Sequence, residues 1–333
     1  MEKVRFGIIS IGTISQKFAC AVKMLSDATL SAVYSRSLEK ASEFSRKFDV
    51  PQYFNDLEAF LHSDVDIVYV ASPHSHHFSY ARQCLLHGKG VICEKAFTAN
   101  AEQARELAAL AQRNHLFLME GMWSRFLPYR HKIEKWIADG RIGEIRRIHC
   151  TFSFDNSRYP REGRMHNPAL AGGALLDLGI YGLSFICSFL GTKPKKITSD
   201  AFLGETGVDE NCCAVLRYPS GAMGILNTSM MVFAPSHASL YGTLGRIEIP
   251  HFESARTATL YFGRDEVAEE ANCPYENGFQ FEIKAAMESF RAGETESKQM
   301  PLQETIEILE CCDQMRAQWG LRYPFEETMK GVL

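Results

Sequence analysis

The chain has 333 residues, of which 46% are hydrophobic and 23% are charged, and its formal net charge is −4. This length predicts two domains, and the balanced composition excludes a disordered chain, a collagen-like repeat and a coiled coil. The slightly negative charge excludes the broad basic surface that general nucleic-acid binding requires, so we expect no nucleic-acid partner.

The N-terminal part of the chain alternates short apolar runs with helical patterns. The predicted strands are Val4–Ile11, Leu30–Ser35, Val65–Ala71, Gly90–Cys93 and Phe117–Met119. Apolar strands separated by single helices predict βαβ units, which build a doubly wound parallel sheet of the Rossmann type. We therefore predict an α/β dinucleotide-binding domain at residues 1–122.

The rest of the chain follows another pattern. An amphipathic helix is predicted at Ser124–Asp139 and a long apolar helix at Gly173–Leu190. Strands without intervening helices are predicted at Ile145–Phe154, Lys196–Leu203, Asn211–Tyr218, Ala222–Val232, Ala238–Gly242 and Arg246–Ile249. Such a run predicts an open, mainly antiparallel sheet. Residues 123–333 would then form an α+β domain for substrate binding and oligomerisation, with closing helices at Phe279–Ala292 and Leu302–Gln318.

The cysteines and the apolar helix bear on the compartment. The ten cysteines form no C-x-x-C motif, and Met1–Gly7 runs directly into a predicted strand, so no secretory leader is expected. We interpret the cysteines as free thiols of a cytoplasmic protein. The apolar stretch Ala174–Leu190 contains Asp177, and because an ionisable group is costly in lipid we expect a buried helix and no membrane partner.

The stretch Gly7–Ser15 lies where the first predicted strand turns into a helix. A dinucleotide-binding turn needs small residues there, and Gly12 would let the backbone approach a pyrophosphate at the helix N-terminus. The predicted contacts at this turn are Ser10, Gly12, Thr13 and Ile14. The alternative is a plain strand-to-helix turn.

The end of the second strand bears on the choice of cofactor. The segment Tyr34–Ser37 holds no acid that would bind the ribose 2′-hydroxyl of NAD. Arg36 would instead pair with a 2′-phosphate, and Ser35 and Ser37 offer hydroxyl groups. This pattern favours NADP over NAD, and the alternative is a solvated surface arginine.

The stretch Ser72–His77 follows another predicted strand and contains three histidines. A zinc site normally shows acid or cysteine partners, and none stands nearby in the chain, so we expect no metal. We interpret the stretch as a turn under the dinucleotide, with one histidine capping the next helix. The cofactor contacts predicted here are Ser72, Pro73, His74 and His77.

Two further segments carry candidate chemistry. Glu94 and Lys95 follow a strand at the carboxyl edge of the predicted sheet, where ligands bind in open α/β folds. Both are predicted cofactor contacts, and Lys95 would reach a nicotinamide ribose or a substrate oxygen; the alternative is a surface ion pair. Asp177 and Tyr181 are four residues apart on the apolar helix and so share a face. They are either catalytic, with Tyr181 exchanging a proton with a substrate hydroxyl, or a structural pair in the core.

Together these motifs resemble the glucose–fructose oxidoreductase/inositol dehydrogenase/MocA family of two-domain NAD(P)-dependent oxidoreductases. Gly7–Ser15 is similar to its G-I-I-G-x-G-x-I-A opening, Ser72–His77 to T-P-x-x-x-H and Glu94-Lys95 to the start of E-K-P. Gly172–Tyr181 is similar to G-G-x-L-x-D-x-G-x-H, and Gly242–Gly245 to G-T-x-G. The resemblance covers almost the whole chain, with the motifs in the family's order.

Three positions depart from the family pattern. Ser10 replaces a glycine, Ala96 replaces the proline of E-K-P, and Tyr181 stands where sugar dehydrogenases of the family usually carry histidine. Together with the stretch Leu118–Phe126, the tyrosine resembles the dihydrodiol dehydrogenase branch, also known as NADP-dependent D-xylose 1-dehydrogenases. The resemblance implies NADP as the cofactor and a homodimer or homotetramer.

The resemblance also implies the roles of several residues. Lys95 and Tyr181 would be catalytic, with Asp177 orienting the substrate hydroxyl. The substrate contacts that it implies are Trp123, Arg125, Phe154, Asp177 and Phe279. We therefore expect reversible hydride transfer between a nicotinamide and the hydroxyl-bearing carbon of a sugar or cyclic diol. The alternatives are a non-catalytic NADP-binding regulator and a glycosidase that uses tightly held NAD.

Two surface features complete the predictions. Met223, Met230 and Met231 on or beside the predicted strands suggest an apolar face through which the C-terminal sheet would self-associate. The segment Arg141–His166 contains six arginines, which we interpret as a strand and a solvated loop rather than a phosphate-binding patch. Loops are expected at Asp155–Leu170 and Val267–Gly278.

Overall fold

The computed structural model describes residues 2–156 and 160–328. The chain divides into two compact units. The first contains the residues up to Phe126 together with Glu276–Ile306, and the second contains Leu127–Tyr275 together with the residues from Glu307 onward.

The first unit is built on a six-stranded parallel sheet. Its strands are β1 Val4–Ile9, β2 Ala28–Tyr34, β3 Gln52–Phe54, β4 Ile67–Val70, β5 Gly90–Glu94 and β6 Leu118–Gly121. The strand order is β3-β2-β1-β4-β5-β6, which confirms the predicted doubly wound Rossmann sheet. Every residue of β4 and β5 is buried, as expected for central strands with helices on both faces. The short strand β3 was not predicted.

Helices connect these strands in the expected alternation. They are α1 Thr13–Lys23, α2 Leu38–Phe48, α3 Leu57–Leu61, α4 His74–Leu86 and α5 Ala101–Arg113. Three of them begin at a polar side chain that accepts a backbone N–H of the first turn, namely Ser37, Asp56 and Asn100.

The second unit is built on an eight-stranded sheet. Its strands are β7 Ile145–Ser153, β8 Lys196–Leu203, β9 Asp209–Arg217, β10 Met223–Ser229, β11 Ala234–Gly242, β12 Gly245–Pro250, β13 Thr257–Phe262 and β14 Glu266–Asn272. The order is β14-β13-β12-β11-β7-β10-β9-β8, and only the β7–β10 pair is parallel among these described strands. The predicted open, mainly antiparallel sheet is therefore confirmed. The expected loop at Val267–Gly278 was wrong in its first part, because β14 pairs with β13 there.

Two helices of the second unit are α6 Pro128–Ala138 and α7 Ile180–Leu190. The single helix predicted at Ser124–Asp139 was wrong. A 3₁₀ turn at Trp123–Phe126 precedes α6, and the break falls at Pro128, which lacks the N–H that a helix interior needs and is favoured at a helix start.

The remaining helices are α8 Phe279–Arg291, α9 Leu302–Trp319 and α10 Pro324–Thr328. The sequence placed all residues after 122 in one C-terminal domain, whereas compactness groups α8 with the first unit, where it packs on α1. An ion pair between Arg291 and Asp27, with 2.6 Å between Nη1 and Oδ2, joins these parts of the first unit.

The apolar helix forms the core of the second unit. It begins as a π-helical turn, Leu175–Gly179, and continues as α7, which packs on β7 and β10. The segment Pro168–Leu190 contains an 18-residue window with a mean hydropathy of 1.7, so by length and composition it could cross a membrane, but 78% of that window is buried inside the protein. This burial is typical of the core helix that the sequence predicted.

Candidate active site

The turn after β1 takes the shape that a dinucleotide-binding turn needs. Ser10, which replaces the usual glycine, has a φ of 75°, in the left-handed region that glycine adopts most easily. The Ser15 hydroxyl donates to the Ser10 carbonyl, with 2.7 Å between the oxygens, and the Ser10 N–H donates to the Tyr34 carbonyl at 3.0 Å. Ser10 therefore takes a left-handed backbone conformation that glycine adopts most easily.

Gly12 stands at the N-terminus of α1 and leaves open space above it. A Cβ atom added to Gly12 would meet no other atom within 4 Å in residues 2–156 and 160–328. No side chain of the described chain caps α1, and its first turn contains no acid. Free N–H groups at a helix N-terminus, with the positive end of the helix dipole, favour a bound anion. The residues present therefore fit the pyrophosphate of a dinucleotide.

Arg36 is an exposed cation just after β2, and the hydroxyl oxygens of Ser35 and Ser37 beside it accept backbone hydrogen bonds. Arg36 is exposed, and its charge together with burial lowers the pKa of His76, with burial as the larger cause. Ser37 caps α2, and the Ser35 hydroxyl accepts from the Ser37 N–H at 3.3 Å. Both serines therefore shape the turn that holds Arg36, while the guanidinium remains accessible to solvent.

The turn between β4 and α4 contains Ser72 and Pro73, and α4 begins at His74. The prediction that a histidine caps this helix was wrong, because Pro73 occupies the cap position. His77 is 1% exposed and lies between two carbonyl oxygens. Its Nδ1 is 2.8 Å from the oxygen of Ala96, and its Nε2 is 2.7 Å from the oxygen of Ser72. His77 thus connects the β4–α4 turn with the segment that follows β5.

Glu94 is the last residue of β5 and Lys95 follows it, and the two side chains differ in exposure. Glu94 is 6% exposed and accepts hydrogen bonds from the Tyr69 hydroxyl and, at 3.1 Å, from the Lys95 N–H. Lys95 is half-buried, and its peptide bond to Ala96 is cis. Glu94 is therefore a buried structural acceptor, whereas the Lys95 side chain stands at the carboxyl edge of the sheet.

Two predicted substrate residues lie against each other in the first unit. The rings of Trp123 and Phe279 stack with 5.2 Å between centroids and 6° between planes. Arg125, a third predicted contact, forms an ion pair with Glu304 at 2.6 Å between Nη2 and Oε1. Trp123 and Phe279 therefore form one apolar surface, while the Arg125 guanidinium is paired with the Glu304 carboxylate.

Sequence reasoning missed two buried acids in this unit. Burial raises the pKa of Glu120 to about 7, and the carboxylate accepts from the Thr305 hydroxyl at 2.9 Å and the Phe97 N–H at 3.3 Å. Glu282 is fully buried on α8, and burial, with a smaller contribution from Glu94, raises its pKa well above the usual range. The sequence signal that could have found them is an acidic residue on an otherwise apolar face, because an acidic side chain is rarely fully buried unless it is paired.

Asp177 and Tyr181 belong to the second unit. Asp177 is 8% exposed and pairs with Arg164, with 3.0 Å between Oδ1 and Nη1. Tyr181 is 9% exposed and its ring meets Phe152 edge to face, with 5.6 Å between centroids. Asp177 lies in the π-helical turn, a feature found often at functional sites. The partner Arg164 was not predicted, because it precedes the helix in a segment without periodicity.

A third missed acid, Asp209 in the second unit, lies at the start of this helix. Asp209 is fully buried, and its Oδ2 accepts from the Leu175 N–H at 2.6 Å. Burial raises the pKa of Asp209 to about 7, although the hydrogen bond from Leu175 lowers it. Asp209 thus satisfies an N–H group at the helix start that would otherwise be buried without a partner.

Phe154 packs in the core of the second unit, beside Phe152. Both pack against a buried apolar cluster formed by Met165, Ala174, Leu178, Val208 and Met230. Met230 was predicted on an exposed apolar face, and this was wrong, because it lies in the cluster at 1% exposure. Met223 and Met231 are exposed to 39% and 44%, and the adjoining Phe233 is 76% exposed.

The arginines of the segment 141–166 mostly face acids. Arg158 lies outside the described residues, as do the other residues 157–159 of the loop expected at Asp155–Leu170. The ion pairs are Arg141–Glu269, Arg146–Glu144, Arg161–Glu210 and Arg164–Asp177. The described arginines are thus largely neutralised by neighbouring carboxylates.

Glu58, His62 and His87 form a group whose ligand atoms lie within 4.8 Å of one another. Both histidines close helix ends, because each Nδ1 lies 2.8 Å from the carbonyl oxygen four residues earlier. His87 Nε2 also lies 3.2 Å from Glu58 Oε1. The hydrogen bond to Gln83 is the largest cause of the raised pKa of His87. Helix closure and an ion pair account for this group.

All ten cysteines lie in the described residues and none of them forms a disulfide, as predicted. Burial raises the pKa of several of these thiols, including Cys84 and Cys150, far above their ordinary value. A buried thiol of raised pKa is unreactive, so the buried cysteines serve packing.

Comparison with known proteins agrees with this architecture. A family model described as an oxidoreductase family with an NAD-binding Rossmann fold matches residues 4–122, and a GFO/IDH/MocA C-terminal domain model matches residues 131–248. Trans-1,2-dihydrobenzene-1,2-diol dehydrogenase of Xenopus laevis is 33% identical over 96% of this chain and 99% of that protein. The Homo sapiens protein of that name is 32% identical over 96% of this chain and 98% of its own length.

Solved structures share the fold. Aldose–aldose oxidoreductase from Caulobacter crescentus, complexed with glycerol, has a TM-score of 0.86 at 22% identity and covers 95% of this chain and 97% of that one. A 3-ketoreductase from Actinomadura kijaniata, in complex with NADP and TDP-benzene, has a TM-score of 0.85 at 24% identity and covers 95% and 98%. Both similarities confirm the two sheets predicted from the sequence.

Proposed function

Because the chain belongs to the GFO/IDH/MocA family of oxidoreductases, we propose that it transfers a hydride between NADP and the hydroxyl-bearing carbon of a cyclic diol or sugar. The relatives at 32–33% identity over nearly the full length are named as dehydrogenases of a cyclic diol. The chain is thus an NAD(P)-dependent dehydrogenase that acts on CH–OH groups, and NADP and the substrate class are the finer parts of the proposal.

The single observation that supports cofactor binding most directly is the open N-terminus of α1. The space above Gly12 and the uncapped N–H groups suit a pyrophosphate. Arg36, exposed at the end of β2, supplies the cation for a 2′-phosphate, and no acid stands in the segment Tyr34–Ser37 to select the free hydroxyl of NAD. Bound NADP would supply the hydride acceptor.

The roles of the catalytic residues follow from their chemistry. Tyr181 would remove the proton of the substrate hydroxyl during oxidation and return it during reduction. A free phenol has a pKa of about 10, so it needs help to act near neutral pH. The family resemblance implies Lys95 as the second catalytic residue. Asp177, with its charge balanced by Arg164, would accept a hydrogen bond from the substrate hydroxyl.

A ring-shaped substrate is supported by the aromatic surface of the first unit. Trp123 and Phe279 stack in parallel, and flat aromatic surfaces pack well against the apolar faces of cyclic molecules. The pairing of Arg125 with Glu304 gives that arginine a structural role, so we assign substrate contact to the two rings rather than to Arg125.

The decisive experiment is an initial-rate screen with NADP and NAD against cyclic diols, aldoses and inositols, run on the wild type and on Tyr181→Phe. We expect the wild type to reduce NADP with a cyclic diol or aldose. The variant should lose turnover by about 10²-fold or more, the range of general acid–base catalysis, while binding NADPH normally. Tyr241→Phe, which removes a phenol from β11, is the matched control and should retain full activity.

Other outcomes would point elsewhere. Normal turnover by Tyr181→Phe would contradict the assigned role of the phenol. Release of an aglycone without net change in the cofactor would indicate a glycosidase. Tight binding of NADPH, without reduction of NADP by any substrate of the panel, would favour a regulatory protein.

Assembly and location are further parts of the proposal. Phe233, Met231 and Phe202 are all strongly exposed on or beside the second sheet, and large exposed apolar groups usually mark an interface. We propose a homodimer or homotetramer through this sheet and a cytoplasmic location, the latter supported by ten free cysteines. Light scattering should show a dimer or larger species that Phe233→Asp dissociates, and cell fractionation tests the location.

A further inference from the structure

His77 has an arrangement that a neutral imidazole cannot satisfy. The residue is 1% exposed, so the ring is shielded from bulk solvent. Its Nδ1 lies 2.8 Å from the Ala96 carbonyl oxygen, and its Nε2 lies 2.7 Å from the Ser72 carbonyl oxygen. Carbonyl oxygens only accept hydrogen bonds, and a neutral ring has one N–H donor and one lone pair. One lone pair would then face another at hydrogen-bond distance.

A second buried histidine shows the contrast. His166, in the other unit, is 5% exposed, and its Nδ1 lies 3.1 Å from Glu210 Oε1, an acceptor. Its Nε2 lies 3.1 Å from the amide nitrogen of Asn156, a donor. A neutral ring can pair with one donor and one acceptor at the same time. Only His77 of these two is enclosed by acceptors on both sides.

We propose that His77 is held as a doubly protonated imidazolium and acts as a positioning residue for Lys95. It joins the carbonyl of Ala96, the residue after Lys95, to that of Ser72 in the β4–α4 turn. Hydrogen bonds from a charged donor are about twice as strong as neutral ones, which suits a fixed link between two loops. The charged and titratable groups near this link include His74, with 5.6 Å between ring centroids, and Glu94 and Lys95 just before Ala96.

The fixed charge also has a consequence for ligand binding. Ser72 and Ala96 follow β4 and β5, so the imidazolium lies at the carboxyl edge of the sheet, where ligands of open α/β folds bind. A buried cation there complements an anionic cofactor without presenting a mobile side chain. This role rests on the proposed NADP-dependent function, whereas the protonation state does not.

The protonation state is tested by neutron diffraction from crystals of the wild-type protein without cofactor at pD 8. At that pD an ordinary histidine, with a pKa of about 6.5, is neutral. We expect deuterium on both nitrogens of His77 and on one nitrogen of His76, whose pKa is lowered chiefly by burial and which is the control in the same crystal. Deuterium on a single nitrogen of His77 would overturn the proposal, whatever the enzyme's activity.

The positioning role is tested with His77→Gln, which removes the charge and leaves one donor group, and His131→Gln as the matched control. We expect about tenfold weaker NADPH binding by calorimetry and about a tenfold or larger loss of kcat, with a smaller change in the KM of the substrate. Misplacement of a catalytic group by 1 Å can cost about 10²-fold. Wild-type NADPH binding and kcat in a folded His77→Gln protein would refute the role, and if that variant does not fold, the neutron result alone decides the charge.

Discussion

Two helices in this protein differ in what their N-terminal backbone N–H groups contact. Helix α1 begins after Gly12, and the helical segment leading into α7 begins after Gly173, so each has N–H groups without helical partners. Above Gly12 an added Cβ would meet nothing within 4 Å in the described chain, whereas at Gly173 it would overlap the Asp209 carboxylate. That carboxylate accepts the Leu175 N–H.

The difference shows how a glycine at a helix start is to be interpreted. At Gly173 the chain satisfies its own N–H groups with an acid, and the glycine makes room for that acid. At Gly12 the described chain supplies no such group, and the open space suits an anion from outside. The helix start after Gly173 is therefore structural, whereas the one after Gly12 is the proposed binding site, although both follow glycines in family-like motifs.

The largest effect is expected from Gly173→Ala. The new methyl group would overlap Asp209, and the φ of 122° is unfavourable for any residue with a side chain. Strain and overlap together should lower the free energy of unfolding by about 4 kcal/mol. Gly207→Ala is the matched control, because its φ is 86° but an added Cβ meets no described atom within 4 Å, and it should lose only about 1 kcal/mol. Equal losses in urea unfolding would show that overlap with Asp209 does not matter.

The second prediction concerns pH. The pKa of Asp209 is raised to about 7, so the folded state binds a proton more tightly than the unfolded state does. Its contribution to stability is full below about pH 4 and is lost as pH rises through 7. Compared with Asp209→Asn, the wild type should lose about 3 kcal/mol between pH 5 and pH 8. Denaturant titrations of both proteins across this range check it, and parallel curves would show that Asp209 is already ionised at pH 5.

The third prediction closes the open helix start. Gly12→Asp would place a carboxylate where the pyrophosphate is proposed to bind and should weaken NADPH binding about 10²-fold in a fluorescence titration. The melting temperature should be unchanged or higher, because aspartate is a favourable N-cap. Gly12→Asn has nearly the same size without the charge and should bind NADPH more tightly than the aspartate variant. A Gly12→Asp protein with unchanged affinity would exclude this helix start as the phosphate site.

The smallest effect is expected at the rim of the cofactor site. Arg36→Ala should weaken NADP binding about tenfold, about 1.4 kcal/mol, and leave NAD binding unchanged, because only NADP carries the 2′-phosphate. Removal of the nearby charge should also raise the pKa of His76, which NMR titration measures without any cofactor. Equal losses for both cofactors would show that Arg36 contacts a group they share.

Local pattern predicted most of the first unit correctly. The βαβ alternation, the short turns and the candidate residues after β1, β4 and β5 all followed from periodicity and from small or polar residues at strand ends. The strand β3 was missed because its three residues, Gln52–Phe54, are too short to show alternation. The break at Pro128 could have been read from the proline, whereas β13 and β14 contain many polar residues and were not recognised.

The sequence located several candidate residues without locating the groups that they contact. It identified Asp177 but not its partner Arg164, and it identified His77 but not the two carbonyl oxygens that enclose it. Met230 is an error of the opposite kind. The strand pattern predicted an exposed side chain, but Met230, directly after β10, packs in the core.

By itself the sequence determined the family, the two sheets and the positions of the candidate residues at strand and helix ends, because these depend on neighbours a few residues apart. Tertiary structure decided which of these ends are closed. Asp209 reaches Leu175 across 34 residues, and Ala96 reaches His77 across 19. No periodicity or fixed spacing in the sequence predicts such partners, because the tertiary fold brings them together. The folded chain alone therefore distinguishes the helix start it caps for itself from the one left open to a ligand.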